Sequence, residues 1–264
     1  LEAAANFLAL GMDPEKSVFW VQSDVPEVQE LAWALSNFTP MGLLERCHSY
    51  KDKVARGLQA NHGLFAYPVL MTADILLFQS DKVPVGKDQK QHIEVARDIA
   101  LKFNNEYGEI FTIPEPDIDD EVATVPGLDG QKMSKSYGNT IDLFQDDKAL
   151  RKQVMRIVTD PTPVEEPKDP DNCNVFQIYR LFLDQPAEQA LRLRYLAGGL
   201  GYGEVKQELF ETVRDRFAPF AARRQEWLAD SDGLRRTLAA GADKARQAAH
   251  KILRKVRKKT GLAY

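Results

Sequence analysis

The first half of the chain alternates between short β-branched or aromatic runs and longer stretches with apolar residues at helical spacing. The predicted helices span residues 1–10, 26–37, 65–78 and 89–106, and the predicted strands span 17–22, 82–85 and 122–125. Strands that alternate with helices are typical of an open parallel sheet covered by helices. Three strands are few for such a sheet, and residue 1 is Leu rather than Met. We therefore expect that an N-terminal segment is missing.

After residue 142 the strand pattern stops and helical patterns fill the rest of the chain. The predicted helices span 146–158, 175–183, 187–196, 203–229 and 231–259. Residues 159–174 carry four prolines among acidic residues, which predicts an extended loop. We therefore predict an α/β domain over residues 1–144 and an all-helical domain over residues 145–264, with the boundary near Phe144.

The composition is that of a soluble globular protein. The 264 residues are 44% hydrophobic and 28% charged, and their formal charge of −4 argues against a protein that coats nucleic acid generally. The most apolar region, residues 63–78, is interrupted by Thr72 and Asp74, so we predict no membrane span. Cys47 and Cys173 lie far apart, which indicates neither a disulfide framework nor a cysteine-based zinc site. A reducing, cytoplasmic location fits best.

The strongest chemical signal is a five-residue loop sequence that lies among glycines: Lys132, Met133, Ser134, Lys135 and Ser136. Two ammonium groups and two hydroxyls on such a loop can close over a polyphosphate and stabilise the charge on a leaving pyrophosphate. Two lysines alone would more simply form a solvated basic loop. The complete sequence Lys-Met-Ser-Lys-Ser, however, is the signature of class I aminoacyl-tRNA synthetases, which the chain resembles here.

A second signal is the turn at residues 85–89, Val-Gly-Lys-Asp-Gln, where a predicted strand runs into a predicted helix. Asp88 is placed to cap the helix N-terminus. In an open parallel sheet the carboxyl ends of the strands line the ligand crevice. An ordinary capped turn would explain this pattern by itself. Combined with the lysine-rich loop, the turn resembles the nucleotide-ribose and amino-acid contacts of tryptophanyl- and tyrosyl-tRNA synthetases.

The third signal is the single carboxylate of Asp74 on the most apolar predicted helix. Tyr67, Met71 and Asp74 are spaced to share one face, and Pro68 suits a first helical turn. An ionised carboxylate in apolar surroundings needs a donor, which an internal salt bridge or a capping role would also supply. The sequence Met-x-Ala-Asp-Ile-Leu around Asp74 resembles tryptophanyl-tRNA synthetases, and this implies that Asp74 accepts a hydrogen bond from the indole N–H of tryptophan.

The resemblance to bacterial-type tryptophanyl-tRNA synthetases covers essentially the whole chain. It implies a Rossmann-like catalytic domain, incomplete at its N-terminus, followed by a helical tRNA-binding domain. The tryptophan site that it implies consists of Asp74, Met71, Tyr67, Gln89, Val83 and Val85. Met71, Val83 and Val85 would shape an apolar slot for the ring, while Tyr67 and Gln89 would hold the ammonium group.

The resemblance also implies an ATP site. Its residues would be Gly86, Lys87 and Asp88 at the ribose, the backbone near Ala123 at the adenine, and Lys132, Met133, Ser134, Lys135 and Ser136 at the phosphates. Lys132, Ser134 and Lys135 would be the catalytic residues of this set. Lys51 and Lys53, in a predicted loop after Tyr50, could also reach the triphosphate, although an exposed basic loop explains them equally well.

One departure from the family pattern concerns histidine. Class I synthetases carry His-x-Gly-His or His-x-Gly-Asn after their first strand, and none of His48, His62, His92 and His250 fits that pattern. We expect the missing N-terminal segment to contain it. If no such segment existed, the alternative would be a non-catalytic paralogue that binds tryptophan, ATP or a protein partner as a sensor.

Within the same class of enzymes the alternative is a tyrosyl-tRNA synthetase. That enzyme would need polar partners for a phenol, and Met71, Val83 and Val85 argue against it.

The last predicted helix carries a local excess of basic residues. Residues 241–264 contain eight Lys or Arg and one acid, Asp243. A stripe of apolar residues would face the protein and leave the basic side exposed: Ala242, Ala245, Ala249, Ile252 and Val256. The helix dipole explains a few such charges. Eight favour contacts with tRNA phosphates and reconcile an acidic chain with an RNA partner.

Taken with the resemblance, these features predict a tryptophan–tRNA ligase. L-Tryptophan and ATP, supplied with Mg²⁺, would give tryptophanyl-adenylate and pyrophosphate, and the tryptophanyl group would then move to tRNA(Trp). The amino-acid carboxylate is itself the nucleophile, so no covalent protein nucleophile is predicted. His48, His62 and His92 have no Cys or His partner at ligand spacing, so no protein-bound metal is predicted either. Family members act as homodimers, and the apolar region 65–78 could contribute to such an interface.

Overall fold

The computed structural model describes residues 1–55, 57, 59–118 and 125–263. The chain forms two compact units, and the first unit is built from two separated stretches, Leu1–Ala123 and Asp230–Tyr264. The second unit is Thr124–Ala229. These packing units do not follow the predicted boundary near Phe144, because the C-terminal helix belongs to the first unit and residues 127–144 belong to the second. The assignment of a function to each domain stays a prediction.

Helices dominate the described residues. In chain order the α-helices are α1 (Glu2–Ala9), α2 (Glu27–Ser36), α3 (Met41–Glu45), α4 (His48–Ala55), α5 (His62–Leu76), α6 (Lys90–Tyr107), α7 (Asp147–Met155), α8 (Asn174–Tyr179), α9 (Gln185–Ala197), α10 (Tyr202–Ala229) and α11 (Ser231–Lys259). The strands are β1 (Lys82–Pro84) and β2 (Glu115–Asp117), and short 3₁₀ turns occur at Gln22–Asp24, Lys87–Gln89, Lys135–Tyr137 and Arg180–Phe182.

The two strands pair in parallel, with Lys82 opposite Glu115 and Pro84 opposite Asp117. Helix α6 makes the connection between them, as a parallel pair requires. The pairing continues past β1, where the Val85 amide donates to the Asp117 carbonyl at 3.0 Å. A parallel strand–helix–strand unit of this kind confirms the predicted Rossmann-like fold class, with a helical second half.

Strand β2 was not predicted, and the predicted strand at 17–22 is wrong. Residues 17–21 form no ladder with described residues. Of their apolar side chains, Phe19 and Trp20 are partly buried, whereas Val18 and Val21 are exposed. The ring of Trp20 packs on Phe78 with centroids 4.9 Å apart. The backbone at Phe19 also lies so close to α11 that a Cβ at Gly241 would overlap the Phe19 carbonyl. The predicted strand at 122–125 lies, apart from Val125, outside the described residues.

The core of the first unit forms where α2, α5, α6 and α11 bring together their apolar faces. Helix α5 begins at Asn61, whose side chain accepts from the Leu64 amide at 2.8 Å. It therefore starts earlier than predicted, and Pro68 lies inside the helix rather than in its first turn. The cap residue of helix α6 is Gln89 rather than the predicted Asp88, whose side chain lies outside the described residues.

The second unit has its own core, in which the largest buried side chains include Phe176, Tyr195 and Leu209. Two of its helices begin after a capping aspartate, which is Asp146 for α7 and Asp184 for α9. The proline-containing stretch before α8 is irregular, as predicted.

The C-terminal helix matches its predicted limits, and its apolar stripe is buried in the first core. Some of its basic side chains also bind within that unit. Arg257 contacts both oxygens of Glu30 at 2.6 and 2.5 Å, and Arg246 donates to the Asp24 carbonyl at 2.7 Å. None of the described helices combines the length and the apolar character that crossing a membrane requires.

Candidate active site

Asp74 lies on α5 as a half-buried carboxylate, and its donor partner is Gln22. The Nε2 atom of Gln22 donates to Oδ1 at 2.8 Å and to Oδ2 at 2.7 Å. Burial raises the pKa of Asp74 above its ordinary value, and the hydrogen bond from Gln22 opposes that rise. The need for a donor could be predicted from the sequence, but the identity of the donor could not.

Tyr67 and Met71 lie on the same helix as Asp74. Met71 is partly buried against the first core, whereas Tyr67 is half exposed. The Tyr67 ring meets the edge of His92 with centroids 6.0 Å apart. His92 is buried. Because His92 lies in the first turn of α6, this contact brings Tyr67 to the helix end where Gln89 is the cap residue.

The turn between β1 and α6 contains most of the other residues predicted for the first unit. Val83 and Val85 are partly buried against the first core. Gly86 is extended, with φ −72° and ψ 160°, and its carbonyl accepts from the Gln89 amide at 2.9 Å. Lys87 is exposed. The Asp88 side chain and all of Ala123 lie outside the described residues.

The lysine-rich loop belongs to the second unit, where a tight hairpin carries its first residues. Lys132 and Pro126 form an antiparallel bridge, and the Met133 amide donates to the Val125 carbonyl at 2.8 Å. Lys135 then opens a short 3₁₀ turn, and both lysines are exposed. The Ser136 side chain lies outside the described residues.

Asn139, which was not among the predicted site residues, connects the strands of this hairpin. It is only 4% exposed. Its Oδ1 accepts from the Ser134 amide at 2.7 Å, and its Nδ2 donates to the Lys132 carbonyl at 3.1 Å and to Asp129 Oδ1 at 2.8 Å. The last bond holds the pKa of Asp129 below its ordinary value. A Cβ at Gly127 would overlap the Asn139 side chain, so this close packing requires glycine there.

Lys51 and Lys53 lie on a helix rather than in the predicted loop. Both are exposed on α4. The start of this helix is fixed by α6, because the His48 amide donates to Gln91 Oε1 at 2.7 Å. The structure therefore gives these lysines a helical backbone, and a role at the triphosphate stays a prediction.

Metal binding by protein side chains has no support in the described part of the chain. No three His, Cys, Asp or Glu side chains there are grouped as metal ligands would be.

Comparison with known proteins identifies the family of the chain. A family model described as class I tRNA synthetases (W and Y) matches residues 1–218. The chain is 59% identical to the tryptophan–tRNA ligase of Campylobacter jejuni, covering 99% of this chain and 82% of that protein. It is 52% identical to the tryptophan–tRNA ligase of Rhodopirellula baltica over the same shares of the two chains.

Solved structures show the same similarity. The crystal structure of the C. jejuni tryptophanyl-tRNA synthetase complexed with ADP and tryptophan matches 99% of this chain and 82% of its own, with a TM-score of 0.88 and 59% identity. That of the Mycoplasma pneumoniae enzyme matches 99% of this chain and 81% of its own, with a TM-score of 0.83 and 26% identity. The chain therefore belongs to the class I tRNA synthetases, in the family of the tryptophan and tyrosine enzymes.

Proposed function

We propose that this chain is a tryptophan–tRNA ligase, which activates L-tryptophan with ATP and transfers it to tRNA(Trp). The observation that carries the proposal is its 59% identity, over nearly its whole length, to an enzyme solved with ADP and tryptophan. The half-buried acceptor Asp74 supports tryptophan over tyrosine as the amino acid. A buried acceptor selects strongly, because a ring without a donor would leave it unpaired.

In the proposed tryptophan site, Asp74 accepts the hydrogen bond of the indole N–H. Met71, Val83 and Val85 supply the apolar walls, and their partial burial against the first core keeps them in place. Tyr67 and Gln89 hold the ammonium group. The Tyr67–His92 contact supports this pairing, since it brings Tyr67 to the end of α6 where Gln89 lies.

In the proposed ATP site, Gly86, Lys87 and Asp88 lie against the ribose and the backbone near Ala123 lies against the adenine. The loop from Lys132 to Ser136 lies against the phosphates. The tryptophan carboxylate attacks the α-phosphorus, the bond to the bridging oxygen breaks, and pyrophosphate leaves with that bond's electron pair. Lys132 and Lys135 stabilise the growing negative charge, and the Ser134 hydroxyl donates to it. Positioning and charge stabilisation suffice for this step.

In the second step a ribose hydroxyl at the end of tRNA(Trp) attacks the activated carbonyl, and AMP leaves. The exposed basic side of α11 supports a contact with tRNA phosphates. Mg²⁺ would accompany ATP and lower the charge repulsion between the phosphates and the carboxylate.

A homodimer and a cytoplasmic location complete the proposal. The apolar region 65–78 stays a candidate for the dimer interface, since Tyr67 is exposed there, and Phe7 and Trp33 are further exposed apolar side chains that could contribute. Cys47 and Cys173 are both free and buried, which suits a reducing compartment.

Amino-acid-dependent exchange between ATP and pyrophosphate tests the proposal. The purified protein would be assayed in parallel with tryptophan, tyrosine and phenylalanine. Exchange with tryptophan alone is expected. Exchange with tyrosine would favour the tyrosyl enzyme instead, and tryptophan binding without any exchange would favour the sensor.

A further inference from the structure

The carboxylate of Asp74 is held by one amide group. Both of its oxygens accept from the same nitrogen of Gln22, at 2.8 and 2.7 Å, so the NH₂ group is shared between the two oxygens. Among the described residues, no other donor to Asp74 is observed. A contact of this kind fixes the rotation of the carboxylate plane as well as its position.

Gln22 is itself well placed to act as a fixed support. It begins the 3₁₀ turn Gln22–Asp24, and the Asp24 amide closes that turn by donating to the Val21 carbonyl at 2.9 Å. The far end of the turn is held by α11, because Arg246 donates to the Asp24 carbonyl. The position of the Gln22 amide therefore depends on contacts far from Asp74 in sequence.

We propose that Gln22 is a positioning residue for amino-acid selection, which holds Asp74 in the orientation and charge state that accept an indole N–H. This inference rests on the proposed function and deepens it. A carboxylate has about four lone-pair positions, so the Gln22 amide leaves room for one further donor from the substrate. Gln22 acts on the substrate only through Asp74.

The electrostatic surroundings of Asp74 make this support necessary. Burial favours its neutral form, and the Gln22 amide is the described group that favours the charged form. No charged side chain of α2, α3 or α6, the helices that pack on α5, contributes to the shift of its pKa. Without the amide, the carboxyl group would therefore be protonated more easily and would be a weaker acceptor.

The first test is Gln22→Leu, with Gln29→Leu as the matched control, because Gln29 is exposed on the neighbouring helix α2. Pyrophosphate exchange would give KM and kcat for tryptophan and for its analogue in which sulfur replaces the indole N–H. We expect the KM for tryptophan to rise by about 10- to 100-fold. The preference for tryptophan over the sulfur analogue should fall by a similar factor, while kcat and the KM for ATP change little.

The pH dependence separates this role from a structural one. Gln22→Leu removes the hydrogen bond that lowers the pKa of Asp74, so Asp74 is protonated more easily and the KM for tryptophan should rise as the pH falls. In Gln22→Glu two carboxyl groups face each other and can hold the arrangement only by sharing a proton. The KM for tryptophan should then rise as the pH increases, opposite to the change expected for Gln22→Leu. This second test remains valid even if the Gln22→Leu protein does not fold.

Two results would overturn the inference. The first is that the wild-type protein catalyses tryptophan-dependent exchange and that both Gln22 variants keep the wild-type KM for tryptophan, the preference over the sulfur analogue and the pH profile. Gln22 would then have no positioning role, while the proposed function would stand. If the wild-type protein shows no tryptophan-dependent exchange, both the proposed function and this inference fail.

Discussion

At the scale of single residues, Asp74 combines partial burial with a formal charge and with a specific donor. We expect Asp74→Ala to lower kcat/KM for tryptophan by about 100-fold or more, because it removes a charged acceptor for the indole N–H. The substitution deletes little volume, so the unfolding temperature should change by only a few degrees. Pyrophosphate exchange and thermal unfolding measure the two effects, and unchanged turnover on tryptophan would contradict the indole assignment.

Lys135 should behave differently, since its charge matters most when pyrophosphate leaves. We expect Lys135→Ala to lower kcat for adenylation by about 100-fold and to change the KM for tryptophan much less. Lys148→Ala is the matched control, because Lys148 is exposed on α7 of the same unit. A loss confined to tryptophan binding would be incompatible with the proposed phosphate role.

The residues that sequence reasoning missed share a physical property. Gln22 lies 52 positions from Asp74, and an exposed glutamine on a short turn has no periodic pattern that marks it. Asn139 is polar, yet it is buried because it satisfies the backbone of a hairpin. For Asp74 the sequence shows that a donor is needed, whereas only the folded backbone decides which residue provides it. For Asn139 the need itself becomes visible only once the hairpin is formed.

At the scale of elements, the hairpin that carries Lys132 depends on Asn139. Asn139→Ala removes one acceptor and two donor contacts from a buried site, which should cost about 3 kcal/mol of the free energy of unfolding. Because the backbone of Lys132 and Ser134 would lose its support, kcat should fall as well, with the KM for tryptophan nearly unchanged.

Asn139→Asp provides the comparison for that prediction. The aspartate keeps the acceptor for the Ser134 amide but loses both donor contacts and places a second carboxylate beside Asp129. We expect it to be destabilised at neutral pH and to recover partly as the pH falls and the pair is protonated. Chemical denaturation at pH 5 and pH 8 would measure the free energy of unfolding of this variant relative to wild type. If the difference from wild type were the same at both pH values, the predicted role of the Asn139 contacts in the hairpin would be contradicted.

The basic side of α11 offers a second test at this scale. Lys251, Arg254, Lys255 and Lys258 share one helix face, and within the described part of the chain they make no hydrogen bond or ion pair. Replacing all four by Gln should weaken tRNA binding at least tenfold. The slope of the logarithm of the binding constant against the logarithm of the salt concentration should become smaller in magnitude by about 3. Pyrophosphate exchange needs no tRNA and should stay at the wild-type rate. Unchanged tRNA affinity would show that the RNA contacts another surface.

The elements also show where sequence patterns inform and where they fail. The limits of α11 were predicted correctly because its apolar residues recur at helical spacing over many turns. Strand β2 was missed because Glu-Pro-Asp is short and polar and contains a proline. The run at 17–22 was predicted as a strand because it is rich in β-branched and aromatic residues. In the structure only Phe19 and Trp20 are partly buried, and the contacts of this segment with α11 and Phe78 do not require a paired backbone.

At the scale of the whole molecule, the domain boundary was the feature that a linear pattern could not provide. The apolar stripe of α11 shows that the helix must be buried, but not which core it joins. Proximity in sequence favoured the helical half. In the structure the stripe completes the first unit, so one packing unit combines the two ends of the described chain.

This arrangement predicts how separate pieces of the chain will behave. A fragment of residues 124–229 is continuous and has its own core, so it should fold cooperatively by itself. A fragment of residues 1–144 lacks α11 and exposes the surface that Ile252, Leu253 and Val256 cover. Those three side chains contribute about 6 kcal/mol of burial. That is comparable to the roughly 5 to 15 kcal/mol that stabilises a whole domain.

Circular dichroism and calorimetry on the two fragments would measure this difference. We expect a sharp unfolding transition for residues 124–229 and none for residues 1–144. Adding residues 230–264 as a separate peptide should restore a transition in the second case, because the missing core face would be covered again. A stable, cooperative fragment 1–144 would show instead that α11 is an accessory to the first unit rather than part of its core.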